Sequence, residues 1–218
     1  MNRREFAQTA AALSACAATP LIVPHAMAAA GDPVEGTNFV KLSQSAPVSA
    51  PAGKVEVVEF FWYGCPHCHH FEPSLLPWIA KLPADVAFKR VPVAFRENPF
   101  GLHQRLYYAL EGMGLLPTVH AKVFHAMHVE KLKLDTIESI TDFVVRQGVD
   151  KAKFLAMFNA FAMQTKIKQA RALADAYKID GVPALGVAGR YFTSVAMNGT
   201  PEKALATANF LIAQSRKG

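Results

Sequence analysis

Apolar positions along the chain follow two different spacings. Over residues 54–63 they are nearly continuous, with Val55, Val57, Val58, Phe60, Phe61 and Trp62 all β-branched or aromatic. Such a run predicts a central strand buried on both faces. Residues 86–95 predict a second core strand, with Pro92 marking an end or a bulge. From Asn98 to about Lys178 the spacing becomes helical. Leu102, Leu106 and Leu110 form one stripe; Val119, Val123, Phe124 and Met127 form another. Residues 135–145, 150–158 and 165–177 read as three further helices. Strand character returns over residues 181–187, and Gly189-Arg190 turns it back at Tyr191-Phe192 as a hairpin. Thr200-Pro201-Glu202 is a good helix start, and the last helix runs to about Gln214. Residues 38–42 predict a short edge strand in a leader rich in loop markers (Pro47, Pro51, Gly53).

Between the first core strand and the helix after it stands Gly64-Cys65-Pro66-His67-Cys68. Pro66 suits a first helical turn, where its missing N–H costs nothing. The helix carries Phe71, Leu75, Leu76, Trp78 and Ile79; Pro73 and Pro77 predict kinks or a break in it. Glu59 is the anomaly of the preceding strand, because a carboxylate is expensive to bury there. It either reaches a basic partner or an exposed edge, or acts as a proton acceptor or donor beneath the thiols. Arg90 on the next core strand is a candidate partner.

The chain has 218 residues, 51% of them hydrophobic, enough for one ordinary domain with an insertion. Its start reads as an export signal. Asn2-Arg3-Arg4 is positive, residues 6–23 are small or apolar, and Ala26-Met27-Ala28 predicts cleavage after Ala28. Arg3-Arg4-Glu5-Phe6 partly matches a twin-arginine signal, and Leu13-Ser14-Ala15-Cys16 a lipoprotein box. All three routes lead out of the cytoplasm. Net charge is +6 and scattered, which predicts a solvated surface and no nucleic-acid partner.

Export sharpens the cysteine count. Of three cysteines, Cys16 lies in the signal, which leaves only Cys65 and Cys68. A bridge across two residues closes a tiny loop and removes little chain entropy, so a redox role explains the pair better than a staple. Zinc is the other reading of Cys-x-x-Cys, with His67, His69 and His70 beside it. No second cysteine pair exists to complete such a site, and no metal is expected. At a helix N-terminus, unpaired N–H groups and the dipole favour a thiolate at Cys65, and His67 adds a donor or positive charge. His69 and His70 read as surface residues; Trp62 and Tyr63 are both candidates to line a substrate groove, with core or partly buried packing the favoured reading for Trp62. His103, His120, His125 and His128 show no recognisable geometry in the sequence.

The order of strand, Cys65-Pro66-His67-Cys68, helices, and the segment Gly181-Val182-Pro183 resembles the thioredoxin superfamily, and within it the DsbA family. The Pro-His dipeptide between the cysteines, shortly after Phe60-Phe61, is the most specific mark. The resemblance implies an α/β fold of thioredoxin type, a central mixed β-sheet with an inserted helical subdomain. Residues 1–28 would then be signal, 29–97 and 179–218 the two parts of the thioredoxin-like domain, and 98–178 the insertion. It implies a periplasmic dithiol oxidase that passes a Cys65–Cys68 disulfide to unfolded exported proteins, with no cofactor beyond the cysteine pair. DsbA proteins are the standing example of a depressed thiol pKa, so the resemblance itself implies that trait. It also implies reoxidation by a membrane quinone-linked oxidase of the DsbB type, and a monomer. Catalytic roles fall to Cys65, Cys68, Pro66, His67, Glu59 and a cis Pro183, with Val182, Pro183 and His67 binding substrate. An isomerase or reductase of the same superfamily is the nearest rival. Isomerases usually carry an N-terminal dimerisation domain, and about 25 residues before the first strong strand are too few for one. A thioredoxin-like binding protein or chaperone with an incidental thiol pair is the third reading.

Overall fold

The computed structural model describes residues 31–96 and 98–217. The expected signal and its cleavage site lie outside them. Five strands form one mixed sheet: β1 (Phe39–Lys41), β2 (Val55–Phe61), β3 (Val86–Pro92), β4 (Ala184–Val187) and β5 (Tyr191–Ser194). Their order is β1-β5-β4-β2-β3, with β2 and β3 parallel and the other pairs antiparallel. Strand β2 therefore has a neighbour on each side, and Val57 to Phe61 are buried without a break. This is the arrangement its continuous apolar run requires. Strand β3 ends at Pro92, whose missing N–H costs no bond to β2: β3 is the sheet edge, and Val93 N still donates to Phe61 O at 2.8 Å.

Among the described residues eight helices cover the sheet: α1 (Pro66–Ile79), α2 (Phe100–Gly112), α3 (Leu116–His128), α4 (Ile137–Arg146), α5 (Lys151–Phe158), α6 (Ala162–Ala176), α7 (Val195–Asn198) and α8 (Pro201–Ser215). Two buried clusters separate the layers. Val57, Leu185 and Val187 pack with Phe71 and Leu75 of α1 and Leu205, Leu211 and Ile212 of α8. Val58, Phe60 and Phe61 pack with residues of α2 to α6, the helices between β3 and β4.

Helix α1 differs from expectation. It runs as one element through Pro73 and Pro77, with no break. Both prolines are exposed while Phe71 and Leu75 are buried. The carbonyls that lose an N–H partner therefore lie on the wet side, and the apolar face holds the helix in place. Helix α6 starts at Ala162, ahead of the Thr165 that the pattern suggested, and the short α7 had no clear sequence signal. The caps are conventional. Thr136 Oγ1 accepts from Ser139 N, Asp150 Oδ1 from Lys153 N, and Thr200 Oγ1 from Lys203 N.

A tight contact locks the hairpin against the insertion. Gly186 of β4 faces Tyr177, whose hydroxyl accepts from the Gly189 N–H at 2.9 Å. A Cβ on Gly186 would stand 2.5 Å from the Tyr177 ring. Gly186→Ala should therefore destabilise the fold by about 1–3 kcal/mol through overpacking. Chemical denaturation checks this, and an unchanged midpoint would contradict it.

Candidate active site

The site begins where β2 stops. Cys65 N donates to Trp62 O at 3.0 Å, closing the turn that carries the chain from sheet to helix. Gly64 is needed within that turn, since a Cβ there would come within 2.3 Å of the Trp62 ring. Cys65 is the N-cap of α1 with extended backbone, and Pro66 takes the first helical position. Both thiols are free; Cys65 is 8% exposed and Cys68, one turn in, is fully covered. Pro66 and His67 are exposed at the surface between them.

Position makes the two thiols chemically unequal. Cys65 falls to about 6, chiefly through hydrogen bonding from the Cys68 side chain. Burial opposes this, backbone N–H groups of Cys68 and His67 reinforce it, and the His67 charge adds least. The main donor is thus the partner thiol, where the sequence had pointed to the helix terminus and His67. Cys68 is held well above its usual range, first by burial and then by its bond to Cys65. The peptide bond between Val182 and Pro183 is cis, and Cys65 Sγ donates to Val182 O at 3.5 Å. An apolar groove of about 630 Å³ opens from this point, lined by His67, Gly181, Val182, Phe192 and Met197.

Beneath the thiols lies a buried polar network. Glu59 is fully buried and pairs in register with Arg90 across β2 and β3. Arg90 Nε donates to Glu59 Oε2 at 2.8 Å, and its Nη2 to Glu72 Oε1 of α1 at 3.1 Å. Burial raises Glu59 to about 8 against the lowering effect of Arg90. Burial also works to raise Glu72, but His120 and Arg90 outweigh it, and Glu72 lies below its usual value.

Comparison with known proteins settles the family. Residues 85–208 match the DSBA-like thioredoxin domain, a span that starts after the thiol pair. The thiol:disulfide interchange protein DsbA of Pseudomonas aeruginosa is 46% identical over 189 residues, 87% of this chain and 89% of that protein. That of Burkholderia cepacia is 43% identical over the same shares of each chain. The crystal structure of Pseudomonas aeruginosa DsbA superposes with a TM-score of 0.80, covering 84% of this chain and 94% of the other. The chain belongs to the DsbA family. It is a thiol:disulfide oxidoreductase of thioredoxin-like fold.

For a DsbA protein the surroundings of α1 hold several residues whose placement the sequence concealed. Tyr63 is buried and lines no groove; its hydroxyl lies 2.7 Å from His120 Nδ1. His128 Nε2 donates to Tyr63 O at 2.7 Å, and its ring stacks on His69 at 5.1 Å. His69 is therefore half-buried, while His70 is exposed. Trp62 is half-buried, stacks on Phe100 at 3.9 Å and donates to His103 Nδ1 at 2.8 Å. His125 alone of the four insertion histidines is exposed, paired with Glu130 at 3.0 Å. Glu72 had a usable signal, since it follows Cys68 by four residues and so shares its helical face. His120 had none, because its neighbours come from four separate stretches of chain. Among the described residues no cluster of metal-ligating side chains occurs and no helix is long and apolar enough to cross a membrane.

Proposed function

We propose that this protein is a periplasmic dithiol oxidase that passes a Cys65–Cys68 disulfide to reduced, unfolded exported proteins. The inequality of the two thiols carries the reading. A substrate thiolate attacks Cys65, the partner at the surface beside the groove, and a mixed disulfide forms. Cys68 leaves as the buried sulfur and takes up a proton, for which Glu59, the buried carboxyl that acts electrostatically on Cys68, is the candidate source. A second substrate thiolate then displaces Cys65, whose depressed pKa makes it a good leaving group. The reduced enzyme is left with a stabilised Cys65 thiolate. Val182 and the cis Pro183 present backbone to an extended substrate beside the sulfur, with His67 at the rim. The active protein is a monomer using no cofactor beyond the cysteine pair, and a membrane quinone-linked oxidase of the DsbB type restores the disulfide.

Titration follows with a definite sign. A depressed thiol pKa stabilises the reduced fold fully above the unfolded thiol value of ~8.5, and that contribution is lost as pH falls through about 6. The oxidised fold has no such term. The driving force for giving the disulfide away therefore rises with pH across this window, by at most ~1.4 kcal/mol per pH unit. Ultraviolet titration of the thiolate in the reduced protein should show a midpoint near 6. Cys68→Ala should move it upward, because the largest lowering influence is removed. A wild-type midpoint in the ordinary thiol range would instead favour the binding-protein reading.

A further inference from the structure

Two buried carboxylates share one guanidinium beneath the thiols. The charged and titratable groups facing them are Arg90 from β3, Cys68 from α1, Tyr63 from the turn before α1, Tyr107 from α2 and His120 from α3. One cation cannot balance two buried anions, so one carboxylate keeps a proton near neutral pH. The remaining donors decide which. Glu59 has none: its Oε1 is buried without a partner. Glu72 has His120 beside it: Nε2, itself buried without a hydrogen-bond partner, stands 3.7 Å from Glu72 Oε1, at ion-pair distance and beyond hydrogen-bond length. The other ring nitrogen, Nδ1, is 2.7 Å from the Tyr63 hydroxyl.

These partners specify the tautomer. Burial keeps the imidazole neutral, so it carries a single N–H. A carboxylate only accepts, whereas a phenol can donate, so the N–H belongs on Nε2 and Tyr63 donates to Nδ1. His120 therefore aims the positive end of its N–H dipole at Glu72 from 3.7 Å, an electrostatic influence short of a hydrogen bond, and presents nothing to Glu59.

We propose that His120 is a positioning residue that places the negative charge on Glu72 and leaves the proton on Glu59, for transfer to Cys68. The inference rests on the reading of Cys65–Cys68 as a disulfide donor. In the step it serves, a substrate thiolate forms a bond to Cys65 Sγ and the Cys65–Cys68 bond breaks. Its electron pair goes to Cys68 Sγ, which takes the Glu59 proton. The substrate sulfur is oxidised, Cys68 is reduced, and the negative charge ends on Glu59 against Arg90. Burial that holds Glu59 at about 8 keeps this acid loaded at neutral pH.

The test is the rate of mixed-disulfide formation between the oxidised protein and a reduced peptide, followed from about pH 5 to pH 9. Wild type should show an acid-dependent limb that falls near the Glu59 value of about 8, and Glu59→Gln should remove it. His120→Phe fills the same space among Phe61, Tyr107 and Phe124 without an N–H. It should move that limb down by about one pH unit, a tenfold change in acid strength. His120→Gln restores an amide donor and should return the limb toward wild type. An unmoved limb in His120→Phe, or a limb that survives Glu59→Gln, overturns the proposal. Carbon-13 titration of the wild-type carboxyls needs no variant: Glu72 should ionise before Glu59, and the reverse order also overturns it. Failure to transfer the disulfide at any pH overturns the donor reading instead.

Discussion

Replacing Cys65 by serine brings oxidation of a reduced peptide down to the uncatalysed background, by about three orders of magnitude or more. The sulfur is the atom that forms the bond to substrate, and a hydroxyl at that place cannot carry a disulfide. Cys68 cannot substitute for it. It is fully covered by protein, and its thiol is held far above its usual range, so it offers substrate neither access nor thiolate. The fold should survive, because Cys65 and Cys68 stand unbridged in an intact core and serine is itself a favoured N-cap. Circular dichroism and a peptide-oxidation assay on the same preparation separate the two effects. Retained turnover in a folded Cys65→Ser protein would contradict the mechanism.

Replacing Arg90 by methionine costs about 3–5 kcal/mol of stability, the usual consequence of removing one partner from a buried ion pair. Arg90 is bonded to both Glu59 and Glu72. Without it, both carboxyls must protonate or remain as unpaired buried charges. Their folded pKa values then rise above the unfolded ~4.3, so the folded state binds more protons than the unfolded one. Stability of the variant is therefore greatest at acid pH and declines as pH rises through the neutral range. Urea denaturation at several pH values checks both the size and the sign. A variant equally stable across that range would show that Arg90 is not what balances the two carboxylates.

Much of this architecture follows from local pattern. The continuous apolar run of β2, the proline that ends β3 and the Gly189-Arg190 turn each express a rule that needs no tertiary information. So does the pairing of Glu59 with Arg90, once two parallel strands are laid side by side. What stayed hidden depends on packing between distant segments. Pro73 and Pro77 do not break α1 because both lie on its wet face, a fact settled only when Phe71 and Leu75 meet α8 and the sheet. Tyr63 turns inward because His120 arrives from α3 to meet its hydroxyl. His67 does lower Cys65, through its backbone N–H and its charge, but it is not the largest influence. The strongest donor to Cys65 is the neighbouring thiol, and only the fold shows that arrangement.

The central claim is that Cys65 and Cys68 form a couple that gives its disulfide away. Equilibrating the protein with glutathione redox buffers measures this directly, with the fraction oxidised read at each ratio. A stabilised Cys65 thiolate predicts a reduction potential more oxidising than about −200 mV, above the range of glutaredoxins. A value more reducing than this, toward the ~−270 mV of thioredoxin, would contradict the account and make the protein a reductase.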